Sequence, residues 1–138
     1  MANSSPWRDA RSPSLEDLEV LAAEAWERLP QHFRDMCRGL VIRVEDFASE
    51  EVLKELGIES PFDLMGLYQG VSLTRKSFSD PSAEPDMIFL YRRAILDYWA
   101  EKDETLGDIV THVLVHEIGH HFGFSDEDME RIEEEAKS

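Results

Sequence analysis

The segment HEIGHHFGFSD, residues 116–126, carries the most specific pattern in this sequence. It continues the stretch IVTHVLV, and apolar residues recur there on nearly every side, which is typical of a buried helix. Thr105 and Asp108 have the spacing of a capping box at the start of that helix. Gly123 follows the last periodic residue, at the position where helices commonly end in the left-handed conformation. The pattern predicts a helix that ends at Gly123, a bend, and a last helix capped by Ser125.

An HExxH pattern lies inside this helix and consists of His116, Glu117 and His120. Four residues along an α-helix advance about 6 Å and turn about 40° past one revolution, so both imidazoles project from one face. Zinc binds imidazole nitrogen and, in a catalytic site, usually takes three protein ligands and keeps one position open. Because Gly123 lets the chain fold back, Asp126 is placed to supply the third ligand. The sequence predicts a zinc site formed by His116, His120 and Asp126.

Glu117 is the residue of this helix that is hardest to explain by structure alone. An unpaired carboxylate in an apolar helix is strongly disfavoured. Two histidines and a glutamate on a buried helix are three polar side chains, and each of them costs free energy unless it finds a partner. We therefore interpret Glu117 as a general base that takes a proton from metal-bound water and later delivers it to the leaving amine.

Alternatives remain at the ligand positions. Asp126 also suits the first turn of the last helix, where acids favour the helix dipole. His112 lies one turn before His116 and is more simply a buried, hydrogen-bonded histidine than an extra ligand or a support for one. His121 is assigned no metal, and Gly119 suggests that another backbone or a substrate passes close by. Four later glutamates offer a third ligand in place of Asp126: Glu130, Glu133, Glu134 and Glu135.

The rest of the chain predicts an α+β domain. Residues 1–13 lack apolar periodicity and are predicted to be a flexible N-terminal arm, ahead of a single domain over 14–138. The predicted elements are a helix from a Ser14–Asp17 capping box to Pro30, a helix over 31–38, a strand over 40–46, a helix over 49–56 stopped by Gly57, a bulged or closely approached edge strand over 64–73, a loop over 74–86, a buried strand over 87–91 and a helix or turn over 92–102.

Charge and composition limit the partners. The 138 residues include 30 acids and 14 Lys and Arg, a formal net charge of -16, which argues against nucleic acid and anionic membranes as partners. A basic or unfolded peptide is the expected substrate. The single cysteine, Cys37, suits a reducing compartment and is expected to be a buried apolar residue. With no signal peptide or spanning segment recognised, a cytoplasmic location is expected.

The motif resembles that of the minimal, single-domain bacterial zincin-like metallopeptidases. The motif of this family is similar to the metzincin motif, but has aspartate as the last ligand. The likeness extends to three earlier blocks, LPQHFRDMCRGLVIRVEDF, LMGLYQGVSL and IFLYRRAIL. It implies a minimal zincin-like α+β fold, in which a small mixed sheet packs on an active-site helix with additional helices. It also implies zinc ligation by His116, His120 and Asp126, and the catalytic role for Glu117. The chain departs from full metzincins in having Met129 as its only late methionine.

The function expected from these patterns is zinc-dependent hydrolysis of peptide (amide) bonds. An extended substrate would add as a strand to the edge segment 64–73, where Tyr68 is a candidate to stabilise the oxyanion. Two alternatives stay open: a catalytically silent, zinc-stabilised binding or regulatory module, and a zinc hydrolase of a small non-peptide amide.

Overall fold

Six helices and three strands make up the part of the chain that this computed structural model describes, residues 4–37, 39–70 and 85–137. In chain order they are α1 (Leu15–Arg28), α2 (Gln31–Arg34), β1 (Val41–Glu45), α3 (Glu50–Leu56), a 3-10 helix (Pro61–Asp63), β2 (Gly66–Gln69), β3 (Met87–Tyr91), α4 (Arg92–Glu101), α5 (Leu106–Phe122) and α6 (Asp126–Lys137). The α+β class is as predicted.

The three strands form a small mixed sheet in the order β1-β3-β2, with β1 parallel and β2 antiparallel to β3. β3 is central because its side chains are apolar on both faces. Ile88 and Leu90 face the main core with α1 and α5, while Tyr91 joins a smaller core with Ala48 and Leu53. β2 lies at the edge, which confirms that prediction for Gly66–Gln69; residues 71–73 of the predicted strand lie outside the described residues.

α5 is the central helix and packs against α1, β2 and α6. Its start is capped by Thr105, whose hydroxyl accepts the Asp108 N–H at 3.1 Å, and it ends at Gly123 with φ +77°. Ser125 then caps α6 by accepting the Asp128 N–H at 3.2 Å. The helix, the bend and the last helix are therefore confirmed.

Most of the other predicted elements also form. The Ser14–Asp17 capping box has both reciprocal hydrogen bonds, at 2.8 and 3.1 Å, and α3 ends at Gly57 with φ +70°. The second helix was predicted too long, since only Gln31–Arg34 is helical and a turn follows. A helix of one turn is unstable by itself because its first turn is costly to form. The buried side chain of Phe33 holds this turn against the core. Most of the predicted loop over 74–86, namely residues 74–84, lies outside the described residues.

Residues ahead of α1 touch the domain through Arg92, which donates to the Pro13 carbonyl at 2.6 Å and to the Ser12 hydroxyl at 3.0 Å. The boundary between arm and domain stays a prediction. Within the described ranges, no helix is both long and apolar enough to cross a membrane.

Two glycines let neighbouring elements approach α5. A Cβ at Gly66 would lie 2.7 Å from Val113 Cγ1 and 3.2 Å from Glu117 Cγ, so β2 lies directly against α5. A Cβ at Gly119 would overlap the side chain of Met129, which is fully buried. The close neighbour of Gly119 is therefore a core side chain of α6, not the backbone or substrate that we expected.

Candidate metal centre

Three potential ligands converge between α5 and α6. Nδ1 of His112 lies 2.8 Å and Nε2 of His116 lies 3.3 Å from the same carboxylate oxygen, Oε1 of Glu133. All three ligand atoms lie within 4.8 Å of one another. Two imidazole nitrogens and a carboxylate oxygen are a donor set that zinc takes.

The positions of these side chains follow from helix geometry. His112 and His116 are one turn apart on α5, and their ring centroids are 3.9 Å apart. α6 buries Met129, Ile132 and Ala136 in the core. Because Glu133 follows Met129 by one turn, it lies on the side of α6 that faces α5.

The Glu133 oxygen has the surroundings of a cation ligand. Oε1 is buried, and within the described part of the chain no donor completes a hydrogen bond to it, although two ring nitrogens lie within 3.3 Å. A buried carboxylate oxygen without a hydrogen bond is unfavourable. A protonated His112 or a divalent ion between the three ligand atoms would remove that cost, and the donor set of the three residues fits a metal.

The pKa shifts of the cluster favour the ligand forms of Glu133 and His116, but the protonated form of His112. Burial acts to raise the pKa of Glu133, but the adjacent rings of His112 and His116 outweigh it and hold that pKa below its ordinary value. The Glu133 carboxylate at hydrogen-bond distance raises the pKa of His112. Burial, followed by the neighbouring His112, lowers the pKa of His116. His116 is therefore neutral at pH 7, which is the form that binds metal.

The predicted ligands His120 and Asp126 lie around the same histidine but do not converge with it. The His120 ring is edge-on to the His116 ring, with centroids 5.5 Å apart, and its side chain is exposed. Asp126 is the exposed first residue of α6, and its charge acts to raise the pKa of His116. His116, His120 and Asp126 are all described residues, and their ligand atoms do not form a group as close as that of His112, His116 and Glu133. The predicted set of three stays a prediction.

Glu117 faces β2 instead of α6. Burial raises its pKa to about 7, while a hydrogen bond from the backbone N–H of Tyr68 acts to lower it. The Tyr91 N–H donates to the Met65 carbonyl at 2.9 Å, so Met65 and Tyr91 form a hydrogen-bonded pair. Hydrogen-bonded and non-hydrogen-bonded pairs alternate along an antiparallel ladder, which makes Tyr68, three residues further on, a member of a non-hydrogen-bonded pair. Its N–H therefore points away from β3. The Glu117 carboxylate therefore lies at the outer edge of the sheet.

Tyr68 is fixed by contacts of its own. Its hydroxyl donates to Oδ2 of Asp86 at 2.6 Å, and its ring stacks on His121 with centroids 4.1 Å apart. Burial, and then the Asp86 hydrogen bond, raise the pKa of Tyr68 above its ordinary value. Burial also raises the pKa of Cys37 to about 11, so this cysteine is a buried thiol as expected. The hydroxyl proposed for the oxyanion is thus engaged with Asp86.

Comparison with known protein families settles the relationship of the chain. A family model described as zincin-like metallopeptidase matches residues 37–136, which include the whole sheet, α5 and all of α6 but its last residue. The chain belongs to the zincin-like metallopeptidase family. A comparison with curated proteins found no match. Membership confirms the resemblance inferred from the motifs and suggests a hydrolase that acts on peptides with zinc.

In this zincin-like metallopeptidase, the sequence pattern contained a signal for Glu133 that we did not use. Met129, Ile132 and Ala136 define the buried stripe of α6, and Glu133 lies beside that stripe. Glu130, Glu134 and Glu135 lie on the exposed side. Of the four glutamates kept as alternatives, the amphipathic pattern therefore favours Glu133.

Proposed function

We propose that this zincin-like metallopeptidase hydrolyses peptide bonds with zinc, and that Glu117 is its general base. The observation that carries the proposal is the position of Glu117. It follows His116 directly on α5, is largely buried, and has a pKa raised to about 7. A general base works best when its pKa lies near the operating pH, and in the metal-free protein burial raises the pKa of this carboxyl to that range.

His116, His120 and Asp126 would hold the zinc, which would supply a Lewis acid for the scissile carbonyl and would lower the pKa of a bound water. Glu117 accepts the proton that the attacking water loses and returns it to the leaving amine. The Tyr68 N–H orients the carboxylate during both transfers. General acid–base catalysis of this kind contributes about 10²- to 10⁴-fold to the rate.

An extended peptide is the substrate that the edge of the sheet favours. β2 pairs with β3 on one side, and no other described strand pairs with its outer edge. Added strands bind such edges through main-chain hydrogen bonds. A peptide at this edge would lie against Glu117, and the formal net charge of -16 favours basic segments.

The test compares wild type, Glu117→Gln and Glu130→Gln for zinc content and for hydrolysis of an unstructured, basic peptide library. Glu130 is an exposed glutamate of α6 and serves as the matched control. We expect all three proteins to hold zinc and only Glu117→Gln to lose hydrolysis, by about 10²- to 10⁴-fold. Equal hydrolysis by wild type and Glu117→Gln would reject the proposal. Zinc binding without hydrolysis by any of the proteins would favour the binding module, and cleavage of small amides alone would favour the non-peptide hydrolase.

A further inference from the structure

His116 is shared by two groups of candidate ligands, one turn of α5 on either side of it. Towards the N-terminus lies His112, with Glu133 completing a group whose atoms converge. Towards the C-terminus lies His120, with Asp126 as the predicted carboxylate. We infer that His112, His116 and Glu133 form a second position for a divalent cation, which competes with the HExxH position for His116. The inference rests on the proposed function only in taking His116 as a metal ligand.

The two distances from the histidines to Glu133 suit one tetrahedral ion, and the two ring nitrogens lie within 4.8 Å of each other. Ligand atoms about 2.0–2.1 Å from zinc are separated by about 3.3 Å when the coordination is tetrahedral. Nε2 of His116 and Oε1 of Glu133 are 3.3 Å apart. Nδ1 of His112 is 2.8 Å from that oxygen, so the His112 ring has to move by only about 0.5 Å to reach the same spacing.

The two positions have the same formal charge. Each combines two neutral histidines with one carboxylate and leaves a divalent ion with a net charge of +1, so charge does not favour either. A single ring nitrogen of His116 binds a single ion. An ion held by that nitrogen in one position therefore excludes an ion from the other.

The two metal positions lie at different angles from Glu117 around the axis of α5. With about 100° per residue around the helix axis, the midpoint between His116 and His120 lies about 80° from Glu117. The midpoint between His112 and His116 lies about 120° from it. An ion in the second position is thus turned away from Glu117 and held between α5 and α6, where it is unproductive. The balance between the positions sets the fraction of protein that is active.

The test is zinc binding at equilibrium by the full chain, for His120→Ala, Glu133→Gln, the double variant and His116→Ala. Glu130→Gln, another glutamate-to-glutamine change on α6, is the control. Wild type is expected to bind one zinc. Each single change at 120 or 133 should keep one zinc, with affinity lowered by about twofold if the positions are equally strong. The double variant should fall to the level of His116→Ala.

A collapse of His120→Ala alone to the level of His116→Ala would overturn the inference, as would a double variant that binds as well as His120→Ala. Cobalt(II) provides a second measurement. The visible spectrum of the wild-type cobalt protein should be a weighted sum of the spectra of His120→Ala and Glu133→Gln, and identity with the Glu133→Gln spectrum would count against a second position. These binding measurements do not depend on hydrolysis. If Glu117→Gln stayed active, the proposed function would fail, but the second metal position could still be confirmed or rejected from the binding results.

Discussion

Replacing Glu117 by glutamine should stabilise the metal-free protein at neutral and alkaline pH. The pKa of Glu117 is raised from 4.5 to about 7 in the folded protein. Well below pH 4.5 the carboxyl is protonated in both folded and unfolded states, so it has no effect on stability. As the pH rises towards 7, only the unfolded state readily ionises, and the native state loses stability. Above pH 7 the loss is complete and is on the order of 3 kcal/mol, at 1.36 kcal/mol per pKa unit.

The assay is urea unfolding of wild type and Glu117→Gln, both with a chelator, at pH 5 and pH 8.5. The difference in the free energy of unfolding should grow in favour of Glu117→Gln by about 2.5 kcal/mol between these pH values. The amide oxygen can still accept the Tyr68 N–H, and any constant change in packing cancels in the comparison. Glu130→Gln should differ from wild type by less than about 0.5 kcal/mol at both pH values. A difference for Glu117→Gln that stays constant or shrinks with pH would refute the reasoning.

Two further predictions concern β2. Gly66→Ala should lower the free energy of unfolding by about 1–3 kcal/mol, because its Cβ would lie 2.7 Å from Val113 Cγ1. Thermal melts check this prediction, with Gly107→Ala as the control. Nothing lies within 4 Å of a Cβ at Gly107, so that variant should gain up to about 1 kcal/mol in the free energy of unfolding. Equal melting temperatures for the two variants would contradict the close approach. Tyr68→Phe keeps the backbone N–H on Glu117, so peptide hydrolysis should fall by less than about tenfold; a loss of about 10² or more would instead identify the hydroxyl as an oxyanion donor.

Local patterns predicted most of the fold. The capping residues Ser14 and Ser125 and the left-handed glycines Gly57 and Gly123 act within a few residues, so they mark helix ends without knowledge of the tertiary structure. The second helix was predicted too long because the pattern over 31–38 is too short to distinguish a helix from a turn.

The sequence by itself determined that His116 and His120 share a face of a buried helix and that Glu117 accompanies them, because helical spacing is a local property. Only the tertiary structure decided which carboxylate approaches His116. That choice depends on how α6 rotates as it buries Met129 against Gly119, and this contact places Glu133 beside the histidines. The environment of Glu117 was also decided at this level, since β2 reaches α5 across Gly66 and supplies both the burial and the Tyr68 N–H. Contacts between distant segments are set by packing of the whole core, which no local pattern contains.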